Sequence, residues 1–192
     1  MSDFALIDNY IYLFHVDKFI LLPTYPESVQ DTMPATYSQT TPLSRSAPIF
    51  SYSHSGPRTI DVSLNLHRDM MQQLNYGVSN INLNEVDVGD DYVDVLVKQI
   101  QAVAVPSYDI GAKMVNPPLV ALRFGNDIFI KGVVDGGLTV TYSGPIGTDN
   151  KYKQIQLAFR ISEVDPYDAQ TVMQQGSFRG INKTLERRIY KS

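Results

Sequence analysis

NPPLVALRFGNDIFIKGVVDGGLTVTYSGPIGTDNKYKQIQLAFRISEVDPY, from Asn116 to Tyr167, decides the fold. It holds three apolar runs separated by turn residues. In the middle run Leu138, Val140 and Tyr142 point one way, and Thr139, Thr141 and Ser143 the other. In the last run Ile155, Leu157, Phe159 and Ile161 alternate with Gln154, Gln156, Ala158, Arg160 and Ser162. A period of two over this length predicts half-buried strands. Gly136-Gly137 after Asp135 and the segment Gly144–Asn150 read as the two connections of a three-stranded antiparallel meander.

Outward from this stretch, residues 1–22 read as one or two strands, the second about Asp17–Leu22. Arg58–Arg68 reads as another, with Ile60, Val62, Leu64 and Leu66 on one side and Asp61, Ser63, Asn65 and His67 on the other. Asp69–Tyr76 predicts a short helix. The main helix is expected over about residues 92–105, capped by Asp90 or Asp91 and stopped by Pro106. Its stripe of Val93, Leu96, Val97, Ile100 and Val103 has the spacing of one buried face. Between Pro23 and Pro57 lie six prolines, many Ser and Thr, and three tyrosines. That is long for a connection. It is either a surface loop or an extended arm lying on another subunit; its sparse charge and its aromatics argue against simple disorder. Residues 168–192 form a polar extension, with five basic residues against Glu186 between Arg179 and Lys191.

The 192 residues suit one domain with extensions, and a 43% hydrophobic composition supports a packed core. A net charge of −4 argues against general nucleic-acid binding by the body of the chain. With no cysteine there is no disulfide framework, thiolate metal site or Cys nucleophile. The N-terminus lacks a basic n-region and no run approaches a membrane span, so a soluble protein made in the cytoplasm is expected. The acidic run Glu85–Asp91 could offer oxygens to calcium, but it lacks the spaced ligand pattern and helix capping explains Asp90 and Asp91. His15, His54 and His67 are scattered, without zinc spacing. No GxSxG elbow or phosphate-cradling glycine motif occurs; Gly176–Gly180 places its serine one position too early. The expectation is no enzyme, no metal and no cofactor. The basic tail could bind nucleic acid or dock on an acidic patch of a neighbouring subunit, and opposite signs on body and tail favour docking.

The string RSAPIFSYSHSGPRTIDVSLNLHRDM at Arg45–Met70 is followed by the helix. VPSYDIGAKMVNPPLVALRFGNDIFIKGVVDGGLTVTYS and QIQLAFRISEVDPY come next. Together they resemble the tube-fold domain of contractile-tail proteins: baseplate hub, tube-initiator and LysM-associated tail proteins of phages and phage-derived injection systems. The resemblance spans about Phe19 to Tyr167 in short dispersed matches. It implies a mainly β (α+β) fold, an antiparallel β-sandwich or barrel of the tail-tube type with one flanking helix, residues 23–57 serving as an inter-subunit arm. It further implies a ring, sixfold, at the tube–baseplate junction, with the tail tube, hub, spike and wedge proteins as partners and the virion tail as location. DNA would pass through the channel without specific binding; an acidic lining would keep it from sticking. Relatives often carry a C-terminal LysM module, for which the 25 residues after Tyr167 are too few. Subunit-interface candidates are Arg45, Tyr52 and Arg58 near the arm's return, and Arg179, Arg187 and Arg188 in the tail. Two alternatives stand beside this reading: a tail terminator or neck connector, and a β-rich carbohydrate-binding module, the latter disfavoured by the absence of Trp.

Overall fold

Alternating side chains become strands only when each finds a partner, and here the partners build one antiparallel sheet. The computed structural model describes residues 9–44, 46–71, 90–108, 115–125, 127–165 and 168–174. Strands β1 (Asn9–Leu13), β2 (Lys18–Leu21), β3 (Ser28–Thr32), β4 (Ala35–Thr40), β5 (Ile49–Ser55) and β6 (Thr59–His67) precede the helix α1 (Tyr92–Ala102). After it come β7 (Ser107–Tyr108), β8 (Val115–Asn116), β9 (Leu119–Phe124), β10 (Ile128–Ile146), β11 (Tyr152–Glu163) and α2 (Ala169–Gln174). Seven strands lie in the order β2-β1-β9-β10-β11-β6-β3; β4 pairs with β5 and β7 with β8 in separate ladders.

The sheet is stepped. β10 runs for 19 residues, but β9 covers only Ile128–Val133 while β11 covers Gly132–Ile146. Strands β2, β1 and β9 therefore flank its first part, and β11, β6 and β3 its remainder. At Gly132 and Val133 both neighbours are bonded at once.

The meander is present, but its first reversal is not where the glycine pair suggests. Gly136 and Gly137, at φ 75° and 82°, lie inside β10, where the register slips between Asp135 and Leu138. Left-handed φ costs glycine little, so the pair forms a bulge. The turn residues between β9 and β10 are instead Gly125 and Asp127.

Burial follows the alternation. Ile60, Val62, Leu64 and Leu66 of β6 join Ile155, Leu157, Phe159 and Ile161 of β11 in one core. Ile11, Leu13, Val120, Leu122 and Ile130 join it from the other side of the step. The stripe Val93, Leu96, Val97, Ile100 and Val103 closes this core. β-branched residues cost a helix several tenths of a kcal/mol each. Burying such a side chain returns about 1.5–3 kcal/mol, so packing decides the helix. Asp91 caps it, its carboxylate accepting from the Val93 N–H at 3.0 Å. The short helix expected after Asp69 begins at residue 68 and is described only to 71. On the opposite face of β1 and β9, Tyr10, Tyr12 and Ala121 form a second cluster with Phe14, Phe19 and Phe129.

Candidate assembly surface

The 23–57 segment is built from strands, not from an irregular loop. β3 pairs with β6 up to Thr32↔Thr59, and the hairpin continues from Ala35↔Ser55, so the two ladders form one ribbon with a break between them. Pro34 and Gly56-Pro57 sit at the break. Gly56 donates its N–H to the Pro34 carbonyl at 3.1 Å, and a Cβ on Gly56 would lie 2.8 Å from the Pro34 ring. Past the break every residue of β4 and β5 is exposed. The register puts Tyr37 opposite Tyr52 and Gln39 opposite Phe50, so the three aromatics share a face, with the two tyrosine rings 5.6 Å apart edge to face. Apart from His54, the described residues from 33 to 57 carry no ionisable side chain except Tyr37 and Tyr52. A bare two-stranded hairpin is marginal in water, and no described residue covers this one.

Arg58 anchors the ribbon's base. Its guanidinium makes a forked contact with Asp31 of β3, Nε–Oδ1 2.8 Å and Nη2–Oδ2 2.6 Å, and donates to the Phe129 carbonyl at 3.4 Å. The side chain is 7% exposed. The residue expected at an interface is thus turned into its own chain, because a fork matching one carboxylate is the stable way to bury a guanidinium.

A second buried arginine, which no sequence pattern singles out, ties the other end together. Arg68 donates to the Tyr152 carbonyl at 3.1 Å, to Asp91 at 2.5 Å and to Asp94 at 2.9 Å. Lys151 adds bonds to Asp94 at 2.5 Å and Asp91 at 3.3 Å. The helix N-terminus is thereby clamped to β6 and to the β10–β11 turn. Burial alone would push the Asp94 carboxyl up, but hydrogen bonds from Lys151 and Arg68, with their charges, hold it below the usual carboxylate range. A carboxyl lowered in the folded state stabilises the fold at pH above its unfolded value, about 4, and that stability is lost as pH falls through the lower folded value. Thermal unfolding followed from pH 6 to 2.5 should therefore show a decline below about pH 4 that is smaller in Asp94→Asn. Equal declines in the two proteins would remove Asp94 from the account.

Among the described residues no strand pairs with the outer edge of β2 or with two edges beyond the step. No described residue pairs with β10 beyond Val133 on the side facing away from β11, and none pairs with the outer edge of β3. Both edges bound the four-strand layer β10–β11–β6–β3. They lie at the same height, because Ser28 of β3 aligns through Ser63 and Ala158 with Thr139 of β10. The layer's outer face is hydroxyl and amide, with Thr139, Thr141, Gln156 and Asn65 exposed or partly so. Its Arg160 is clasped by Asp61 at 2.6 and 3.1 Å. The face's charged side chains, Asp61, Asp135 and Arg160, leave one acid in excess. A shallow concavity of about 500 Å³ on it is lined by Ser63, Asp135, Thr139 and the Asp61–Arg160 pair; its one aromatic, Phe159, is buried. It offers a sugar no stacking platform.

Of the six expected interface residues, Tyr52 stands on the exposed hairpin and Arg58 is buried. Arg45, Arg179, Arg187 and Arg188 lie outside the described residues, as does most of the acidic run. Among the described residues no group of three or more His, Asp or Glu is placed to hold a metal ion, and no helix is long and apolar enough to cross a membrane. The class that emerges is a mainly β, antiparallel protein with a core helix, open strand edges and a projecting aromatic hairpin. No family model matches the chain, and no curated protein matches it in sequence.

Proposed function

We propose that this chain is a structural protein of a phage tail or phage-derived injection system. It forms a closed ring at the junction of tail tube and baseplate, links the tube to the hub or spike, and starts tube assembly. One observation carries the reading: the four-strand layer β10–β11–β6–β3 ends in two edges at one height on opposite sides that no described residue pairs with. An open edge is an association hazard unless something pairs with it. Joining the β3 edge of one copy to the β10 edge of the next is a heterologous contact, and such contacts close into rings when the rotation permits. Sixfold order and the tail-tube type of fold come from the resemblance of Phe19–Tyr167 to tube-fold proteins. In such a ring the outer face of the layer, polar with one acid in excess, fits a channel for DNA, since its arginine is already paired and phosphate retention needs free cations.

The test is the mass of the purified chain in solution, alone and mixed with tube, hub, spike and wedge proteins. Proline at the edge gives the site-specific version. Successive N–H groups of a strand point to opposite edges, so of Thr139→Pro and Val140→Pro one removes a bond from the β10–β11 ladder and the other an outward N–H. The variant that keeps wild-type unfolding is expected to lose the ring. A chain that stays monomeric with every tail protein sinks the proposal; partnership with head-side proteins alone would move it to the neck or tail terminus.

A further inference from the structure

Where the connection from β2 to β3 passes the turn from β9 to β10, the surface holds a pocket of about 480 Å³. Val29, Phe124 and Ile128 line it from the core side, and Tyr25 and Pro26 from the connection. The Tyr25 ring lies against the turn, since a Cβ on Gly125 would stand 3.8 Å from it, yet the residue is 62% exposed. Asp127 also lines the pocket, and Glu27 follows Pro26; both are exposed. Among the described residues neither acid belongs to an ion pair. The cations around them are engaged elsewhere: Arg58 holds Asp31, Lys131 faces Asp165, and buried Arg123 donates to the Gly125 carbonyl at 2.8 Å. An apolar cleft with an exposed aromatic wall and carboxylates beside it suits a long basic side chain. Its stem lies on the apolar wall, and its charge meets the ring and a carboxylate.

We propose that the cations of this chain's own C-terminal segment, Arg179–Lys191, occupy the pocket, with one of them stacked on Tyr25 and paired with Asp127. The inference stands apart from the ring reading, and it moves the expected docking of the tail from a neighbouring subunit to the chain itself. Charge and reach select the occupant. The tail carries five basic residues against Glu186, a net +4 in a chain of net −4, so the rest of the chain stands at −8. On leaving β11 the backbone runs back along β10 toward the pocket. Glu163 aligns with Gly132, the Val164 N–H donates to the Lys131 carbonyl, and Asp165 faces the Lys131 side chain. From Lys131 to Ile128 is three strand residues, about 10 Å. Fourteen residues lead from Asp165 to Arg179, and with α2 among them they span up to roughly 35 Å. So short a tether holds the tail near its own pocket at an effective concentration of about millimolar, above that of any other copy in dilute solution.

The chain contains no tryptophan, so Tyr25→Trp keeps an aromatic wall and makes it a lone indole. Acrylamide quenching of its emission is measured in three chains. One carries Tyr25→Trp alone. The second adds Glu27→Gln and Asp127→Asn. The third instead adds Arg179→Gln, Lys183→Gln, Arg187→Gln, Arg188→Gln and Lys191→Gln. Thermal unfolding is compared first; both altered acids are exposed, so the second chain still reads the pocket if the third fails to fold. The expected result is a quenching constant roughly twofold or more higher in the second and third chains, and in the first at about 1 M salt. Equal quenching in the three chains overturns the inference. So does a rise in the second chain but not in a folded third, because the pocket then holds something other than the tail. Quenching in the first chain that falls as protein concentration rises means that a neighbour's tail is the occupant, and the own-chain inference fails. None of these outcomes bears on the mass of the assembly, so the ring reading stands or falls separately.

Discussion

Gly132→Ala is expected to be the most damaging single-methyl change in this chain, costing more than about 3 kcal/mol, above the usual range for overpacking. A Cβ on Gly132 would lie 2.1 Å from the Ser162 carbonyl oxygen, 2.8 Å from its carbonyl carbon and 2.9 Å from Ile161 Cγ2. The first two are backbone atoms in the β10–β11 ladder, not the end of a side chain that could swing away. Retreat in the other direction is blocked as well, because Gly132 also pairs with Val120 of β9. At the step in the sheet the chain has a neighbour on each side and no slack. Gly136→Ala makes the comparison sharp. Its Cβ would meet nothing within 4 Å, so the penalty is the left-handed backbone alone, about 1–2 kcal/mol. Denaturant unfolding of the two variants should rank Gly132→Ala far below Gly136→Ala. Similar midpoints would mean that the ladder yields at the step, contrary to the geometry.

The same glycines mark where reading the sequence succeeds and where it stops. Alternation places β6 and β11 and chooses their buried faces, because a period of two is local and one face of each strand is covered. The helix stripe and its Asp91 cap are equally local. Asp135-Gly136-Gly137 is ambiguous: glycines after an aspartate serve a hairpin turn or a bulge equally well. What separates the two is whether β11 continues alongside, a contact made with residues more than 20 positions away. The true reversal lies between Phe124 and Ile128, inside a stretch that reads as one apolar run. Residues 23–57 have no alternating large apolar residues to announce strands, because β4 and β5 bury nothing in their own chain. Arg58 and Arg68 look like surface charges. Their burial depends on Asp31, Asp91 and Asp94, and no short-range pattern joins those residues. The open edges of β3 and β10 follow from strand order and register, which a single sequence does not carry.

Arg68→Met is the second large effect. Methionine keeps much of the side chain's bulk while deleting every N–H, so the change isolates polar satisfaction from packing. Arg68 is 2% exposed, and its loss leaves the Tyr152 carbonyl short of a donor and two carboxylates sharing Lys151 as their one described cation. Breaking a buried pair by removing one partner costs about 3–5 kcal/mol. Asp94 is 38% exposed and can recover some hydration, which argues for the lower end. Lys151→Met should cost less than about 1 kcal/mol, because that ammonium is 39% exposed and Arg68 still covers both acids. The two residues share partners, so their effects should not add: with Arg68 gone, Lys151 is the last cation on the pair, and removing it then costs more than in the wild type. Thermal unfolding of the two single variants and the double variant measures that coupling. Additive effects would mean that the acids are solvated independently of the clamp.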